Sequence, residues 1–433
     1  MSGWGVEDMS KEIVADIGQE MIKVGVIEDG ELVELYIEKR LSESAVGNIY
    51  KGKVANVLKG MQAAFVNIGL EKNAFLYFGD IKRDNLDDGE IIERMDVVSI
   101  SDLLKPGQDV VVQVTKDPMG TKGARVTTNI SIAGRFLVLM PMVDSIGISR
   151  KIEDETERER LKKLVNEIKK QPYGAIIRTA AEGCTKEELE EDWDNLTRLW
   201  EDIKKRSKDL KSPSLIYKEM DFLLRIARDI FTADVEKFHV NEKEAWERLK
   251  EYFKNISPKF EEKIVFYENR LELFKYFNME KEIEKALSRK VWLKSGGYIV
   301  IDKTEALTVI DVNTGKYIGS IDLENTVLTT NLEAAREIAR QIRLRDIGGI
   351  IIIDFIDMAS EEHKKKVLEY LNMLFKKDRN KTQILDITAL GLVEVTRKKI
   401  RQSIDEILGN TCPYCDGNGK IIYYGNKNSP RCI

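Results

Sequence analysis

The sequence predicts a multidomain α+β protein, and three observations carry that expectation. The chain has 433 residues, too many for one ordinary core, which implies about two to four domains. From Val46 to Val114, short apolar runs alternate with glycines, the pattern of a small closed β-barrel. From Leu307 to Asp357, two strand-like apolar runs flank a helical stretch, and each run leads into an aspartate.

Composition narrows the function classes. With 42% apolar and 33% charged residues, the chain is that of a globular protein. The net charge of −5 means that a nucleic-acid partner must be held by local basic patches rather than by a global positive field. No apolar segment is long enough to span a bilayer, and Met1 to Asp16 lacks the apolar stretch of a signal peptide. Four cysteines, two of them close together, do not make a disulfide framework; they fit a reducing cytoplasm and a metal knuckle.

The elements follow in order. Lys23 to Ile27 and Leu32 to Ile37 read as a hairpin turning at Asp29-Gly30. Asn48 to Val54, Ala63 to Gly69, Ala74 to Tyr77 and Asp109 to Val114 supply barrel strands, with an acidic loop expected from Asp84 to Asp96. Beyond Asn129, Phe136 to Met140 and Ala175 to Thr179 read as strands and Glu153 to Lys170 as a charged helix. Thr185-Lys186-Glu187-Glu188 is a capping box opening a helix with Leu189, Trp193, Leu196, Leu199 and Trp200 on one face. Residues 215 to 290 alternate short strands and helices.

Asp311 and Asp354 are the leading chemical candidates. Thr330-Asn331-Leu332-Glu333 reads as a capping box starting a helix to about Arg345, so strand, helix and strand form a crossover unit. The two strands are then parallel, and both aspartates fall on the edge where open α/β sheets place ligands. Two carboxylates converging there repel, and Mg²⁺ removes that penalty. Asn313, two residues beyond Asp311, shares its side of the strand. The competing reading is turn chemistry, which explains either aspartate alone; Asp357 is an outer helper or the start of the next helix.

Other clusters are consistent with nucleic acid. Tyr50, Phe65, Phe75 and Tyr77 interleave with Lys51, Lys53 and Lys59, as in a stacking platform for single strands, or else the rings fill the barrel core. Arg178-Thr179 suits a phosphate monoester, although an Arg tied to an acid competes. Lys364 to Lys366, Lys376, Lys377, Arg379 and Lys381 form a basic zone that continues through Arg397, Lys398, Lys399 and Arg401. Cys412-Pro413-Tyr414-Cys415 offers two thiolates where structural zinc wants four ligands, so two chains would each donate one pair. Cys432 as a third ligand, or a redox role, are the rivals. Cys184, His239 and His363 read as structural.

These residues together resemble the ribonuclease E/G family of bacterial endoribonucleases. The most specific segments are Val46 to Val54, Met61 to Val66, Ile310 to Asn313, Asn331 through Met358, and Cys412 to Cys415. The resemblance implies an N-terminal extension (1–17), an RNase H-like segment (18–43 and 222–290) and an inserted OB-fold, S1-type RNA-binding domain (44–128). It further implies a 5′-sensor domain (129–221), a DNase I-like catalytic domain (291–400), and a zinc link with a short tail (401–433). Asp311 and Asp354 would bind Mg²⁺, and Asn313 would support the scissile phosphate. Phe65, Phe75 and Lys122 would touch RNA. Gly134, Val138, Arg178 and Thr179 would receive a 5′-monophosphate, with Lys381 standing where better-known members carry arginine. Cys412 and Cys415 would hold zinc between protomers of a homodimer.

The expected activity is therefore Mg²⁺-dependent hydrolysis of single-stranded RNA to 5′-phosphate and 3′-hydroxyl ends, in RNA processing and decay. A non-catalytic RNA-binding factor of the same fold is the alternative, and a phosphatase or DNA nuclease a third reading.

Overall fold

A computed structural model describes residues 10–40, 44–81, 99–118, 122–256, 258–269, 273–315, 323–388, 390–410, 412–413 and 415. The expected acidic loop and Cys432 lie outside the described residues. The chain divides into two compact units: residues 1–38, 234–243 and 265–433 form one, and 39–233 with 244–264 the other.

The first unit contains two sheets. One runs in the order Ile264–Phe266, Lys237–Val240, Lys11–Ile17, Met21–Glu28, Glu31–Lys39. Its hairpin turns through Asp29 and Gly30, both at positive φ (51° and 75°) as a tight two-residue turn requires. Lys11–Ile17 sits centrally, parallel to Lys237–Val240 and antiparallel to Met21–Glu28. The expected N-terminal extension (1–17) thus carries a core strand, with Ile13, Val14 and Ala15 fully buried. Charged neighbours hide so short an apolar run from a sequence reading.

The second sheet positions the acidic pair. Its order is Lys290–Trp292, Tyr298–Lys303, Leu307–Asn313, Gly349–Asp354, Val393–Arg397, Thr382–Ile387. Leu307–Asn313 and Gly349–Asp354 are parallel, as the crossover pattern predicts, and the neighbouring pairs flanking them are antiparallel. Period-two alternation buries Thr308, Ile310 and Val312 and leaves Asp311 exposed; Ile351 and Ile353 are buried where Asp354 is exposed. The buried isoleucines join Ala335, Ile338, Ile342, Val367 and Leu371 in one core. Each buried isoleucine, valine or leucine among them contributes roughly 1.5–3 kcal/mol.

The connecting helix is Leu323–Leu344, so it begins before the predicted box. Thr330 and Asn331 are fully buried within it. Thr330 Oγ1 donates to the Thr326 carbonyl, one turn back. The Asn331 amide bridges the Ile356 backbone, donating to its carbonyl (2.8 Å) and accepting from its N–H (3.1 Å).

In the second unit, Ile49–Leu58, Ala63–Asn67, Ala74–Tyr77, Arg125–Thr127 and Asp109–Lys116 form a closed five-stranded OB-like barrel. Closure is the pairing of Ile49–Leu58 with Asp109–Lys116, and Ser214–Tyr217 adds beside the first strand. A Cβ on Gly52 would lie 2.5 Å from Val66 Cγ1, so close strand packing requires glycine there. A four-stranded sheet follows in the order Ile146–Ile148, Gly174–Ile177, Leu137–Met140, Ile132–Ala133. Helices Glu155–Ile168 and Lys186–Asp209 are capped by Asp154 and Thr185, the second with the predicted box. Leu189, Trp193, Leu196 and Trp200 are buried as their spacing implied. Among the described residues no helix is long and apolar enough to cross a membrane.

Candidate active site

Asp311 and Asp354 are direct register partners at matching ends of the two parallel strands, about 4.8 Å apart in backbone spacing. Both are exposed. Asn313 Nδ2 donates to Asp311 Oδ2 at 2.7 Å, which fixes that carboxylate and its amide together. The strand end beside it desolvates the Asp354 carboxyl in part and raises it above its ordinary value, and the charges of Asp311 and Asp357 push it further the same way. A proton or a cation relieves that repulsion.

The donor set fits a hard divalent ion: two carboxylates on open surface, with room for the waters Mg²⁺ keeps. Asp357 does not complete a triad, because among the described residues no group of three metal-ligating side chains assembles. It lies ahead of the helix Glu361–Phe375, which Ser360 caps, so it does not start that helix either. Asn331, read from sequence as part of a helix cap, has a different role here. Its grip on Ile356 fixes the segment between Asp354 and Asp357. A cavity of about 280 Å³, lined by Thr308, Arg345, Gly348 and Lys399, lies at the opposite end of these strands, away from the pair.

On the barrel, Phe65 and Phe75 are half-buried cross-strand partners, with ring centroids 6.0 Å apart at 68°. Tyr77 is 43% exposed. Tyr50 is not part of any surface platform: it is buried in the barrel core. Lys51 is drawn away too, donating to the Ser207 and Leu210 carbonyls at 2.9 and 2.8 Å. Lys53, Lys59 and Lys122 remain exposed.

Arg178 follows the strand Gly174–Ile177 and donates to the Gly134 carbonyl and to Asp229, both at 2.6 Å. It is thus tied to an acid, the reading that competed with a phosphate role. Burial alone would raise Asp229, but Arg228 and Arg178 outweigh it and hold the carboxylate below its ordinary value. Thr179 Oγ1 and Ser149 Oγ are 2.9 Å apart. Gly134 is where Asp192 reaches in: an added Cβ would meet its oxygens at 2.5 and 2.6 Å. That buried carboxylate accepts from the backbone N–H groups of Arg135, Phe136 and Leu137. Val138 is half-buried opposite Ile176 and Ala133. Gly134, Val138, Arg178 and Thr179 therefore share one sheet region, whereas Lys381 belongs to the other unit, where it is exposed.

The basic zone is partly internal. Arg397 is buried and bonds Asp378 and Asp346 at 2.7 and 2.6 Å. Arg379 faces Glu34, Arg401 faces Asp346, and Lys399 faces Glu406. Lys365, Lys366, Lys376, Lys377, Lys381 and Lys398 are exposed as well. Cys412 is exposed and Cys415 half-exposed, while Cys184 is buried and its thiol pushed up to about 12 by that burial. His239 lies 2.9 Å from Glu12 and packs on Phe277, a structural setting.

Residues 131–400 match the model of the Ribonuclease E/G family. Ribonuclease G of Escherichia coli (strain K12) is 46% identical over 414 residues, covering 95% of this chain and 85% of that protein. Ribonuclease G of Haemophilus influenzae is 44% identical over 412 residues, 95% of this chain and 84% of that protein. Ribonuclease E of Nostoc sp. is 41% identical over 418 residues, 96% of this chain but 59% of that longer protein.

Proposed function

The chain belongs to the ribonuclease E/G family and is an endoribonuclease of RNA processing, and we propose that it hydrolyses single-stranded RNA with Mg²⁺ held at Asp311 and Asp354. The observation that carries this reading is the in-register pair of exposed carboxylates whose charges repel. A bound Mg²⁺ supplies Lewis-acid polarisation of the phosphate and a water of lowered pKa. Asp311 and Asp354 contribute the oxygens that hold it. Asn313, bonded to Asp311, has a second amide proton to offer a phosphate oxygen. Attack by water leaves a 5′-phosphate and a 3′-hydroxyl. In this reading Phe65 and Phe75 stack bases, and Lys122 neutralises a phosphate.

The finer parts belong to the same proposal. Residues 18–43 with 222–290 act as an RNase H-like support, 129–221 as a 5′-sensor and 291–400 as a DNase I-like catalytic domain. Gly134, Val138, Arg178, Thr179 and Lys381 recognise a 5′-monophosphate; lysine at 381 keeps the charge but gives up two-pronged geometry. Cys412 and Cys415 supply half of a tetrahedral zinc site, completed by a second copy in a homodimer. The substrates include ribosomal RNA precursors and messenger RNA in the cytoplasm.

End-group mapping tests the chemistry. Fragments of a 5′-monophosphorylated single-stranded RNA are expected to carry 5′-phosphate and 3′-hydroxyl groups. Fragments ending in 2′,3′-cyclic phosphate would exclude attack by water.

A further inference from the structure

The two strands beside the Asp311 strand bring an aromatic pair onto the face that carries the acids. Across the sheet Trp292 pairs with Tyr298 and Tyr298 with Asn313; in the next row of the same face Lys290 pairs with Val300, Val300 with Asp311, and Asp311 with Asp354. Cross-strand partners share a face. Burial agrees, because Val291, Ile299, Ile301, Val312 and Ile353, on the opposite face, are all in the core. Two strand spacings separate the Trp292 and Asn313 backbones, about 10 Å.

Trp292 is 62% exposed and takes no part in that core. Its ring centroid lies 5.3 Å from that of Tyr298, at 63°. The Lys290 ammonium sits 4.0 Å from the Trp292 ring centroid and 3.4 Å from that of Tyr298. No carboxylate among the described residues pairs with it. The indole keeps a solvent-facing surface, and the ammonium is held by ring faces rather than by a carboxylate. Together they match what a nucleotide presents: a flat π-surface and a negative phosphate.

We propose that Trp292 and Tyr298 form a stacking subsite for one base of single-stranded RNA beside the scissile phosphate, with Lys290 contacting an adjoining phosphate. The subsite rests on reading Asp311 and Asp354 as the catalytic pair, and it uses other residues than the barrel aromatics. Stacking accepts every base but is stronger for the larger purine rings, so the bound position prefers purine.

The test uses the full chain in two arms. In the cleavage arm, single-stranded oligoribonucleotides with Mg²⁺ carry purine or pyrimidine at each position flanking the cut. Trp292→Ala raises KM about tenfold with kcat little changed and erases the purine preference at one position, and Trp292→Phe restores most of both. In the binding arm, fluorescence anisotropy of labelled RNA in EDTA shows a similar loss of affinity for Trp292→Ala. Lys290→Gln there reduces the salt slope of log binding constant by about 0.7. Unchanged KM, base preference and affinity in Trp292→Ala would overturn the subsite. Absence of wild-type cleavage would overturn the reading of the acidic pair, while the binding arm still decides the subsite.

Discussion

Asp311 and Asp354 stand opposite one another across two parallel strands, and partial desolvation together with the charges of Asp311 and Asp357 raises the Asp354 pKa. A carboxyl raised by folding favours the fold while protonated and weakens it once ionised. Stability from this site therefore falls as pH rises past the ordinary aspartate value of 3.8. Asp354→Asn is expected to raise the melting temperature in EDTA at neutral pH. Mg²⁺ then stabilises the wild type by ligand linkage and the variant far less. Differential scanning calorimetry with and without the metal reads both effects.

Glu34 shows the opposite sign. Burial alone would raise this carboxyl, but Arg379 and Arg343 outweigh it and hold it at about 2, against an ordinary 4.5. Its stabilisation is complete above 4.5 and is lost as pH falls from there toward 2. Glu34→Gln should cost about 3–5 kcal/mol at neutral pH, because it leaves buried guanidinium groups uncompensated. Urea denaturation is expected to show a smaller difference near pH 3.

Arg178 must divide its guanidinium between Asp229 and any phosphate it receives. Charge-assisted bonds of this kind contribute about 1.5–3 kcal/mol. Arg178→Gln should lower the preference for 5′-monophosphate over 5′-hydroxyl RNA by at least about tenfold in kcat/KM. Cleavage of internal sites in circular RNA, which has no 5′ end, should be unaffected.

Cys412→Ser with Cys415→Ser removes the thiolates of the proposed shared zinc. Mass measurement in solution should find monomers for the double variant and dimers for the zinc-replete wild type. A variant that remains dimeric would move the interface elsewhere.

Much of the acidic site is legible in sequence because local patterns determine it. The apolar runs ending at Asp311 and Asp354 specify strands, and a helix between them makes the pair parallel. The onset of that helix was not legible. Thr330-Asn331-Leu332-Glu333 has the residue types of a cap, but Asn331 serves Ile356, 25 residues away. On the barrel, Tyr50 and Lys51 alternate as expected, yet whether each faces the core depends on closure against the distant strand Asp109–Lys116. The basic zone offers fewer free charges than its sequence suggests for a similar reason. Glu34 and Asp346, which pair with Arg379, Arg397 and Arg401, lie far away in sequence, and Asp378, inside the zone itself, reaches Arg397 across the sheet. The Trp292–Tyr298 pair needs the strand register before it becomes visible.

The most direct measurement is the Mg²⁺ dependence of cleavage of a 5′-monophosphorylated single-stranded RNA by wild type, Asp311→Asn and Asp354→Asn. The expected result is wild-type cleavage that stops in EDTA and returns with Mg²⁺, and variants slowed by about 100-fold or more in kcat while still binding the RNA. Wild-type cleavage that persists in EDTA, or an Asp354→Asn variant as active as the wild type, would contradict the assignment of this pair.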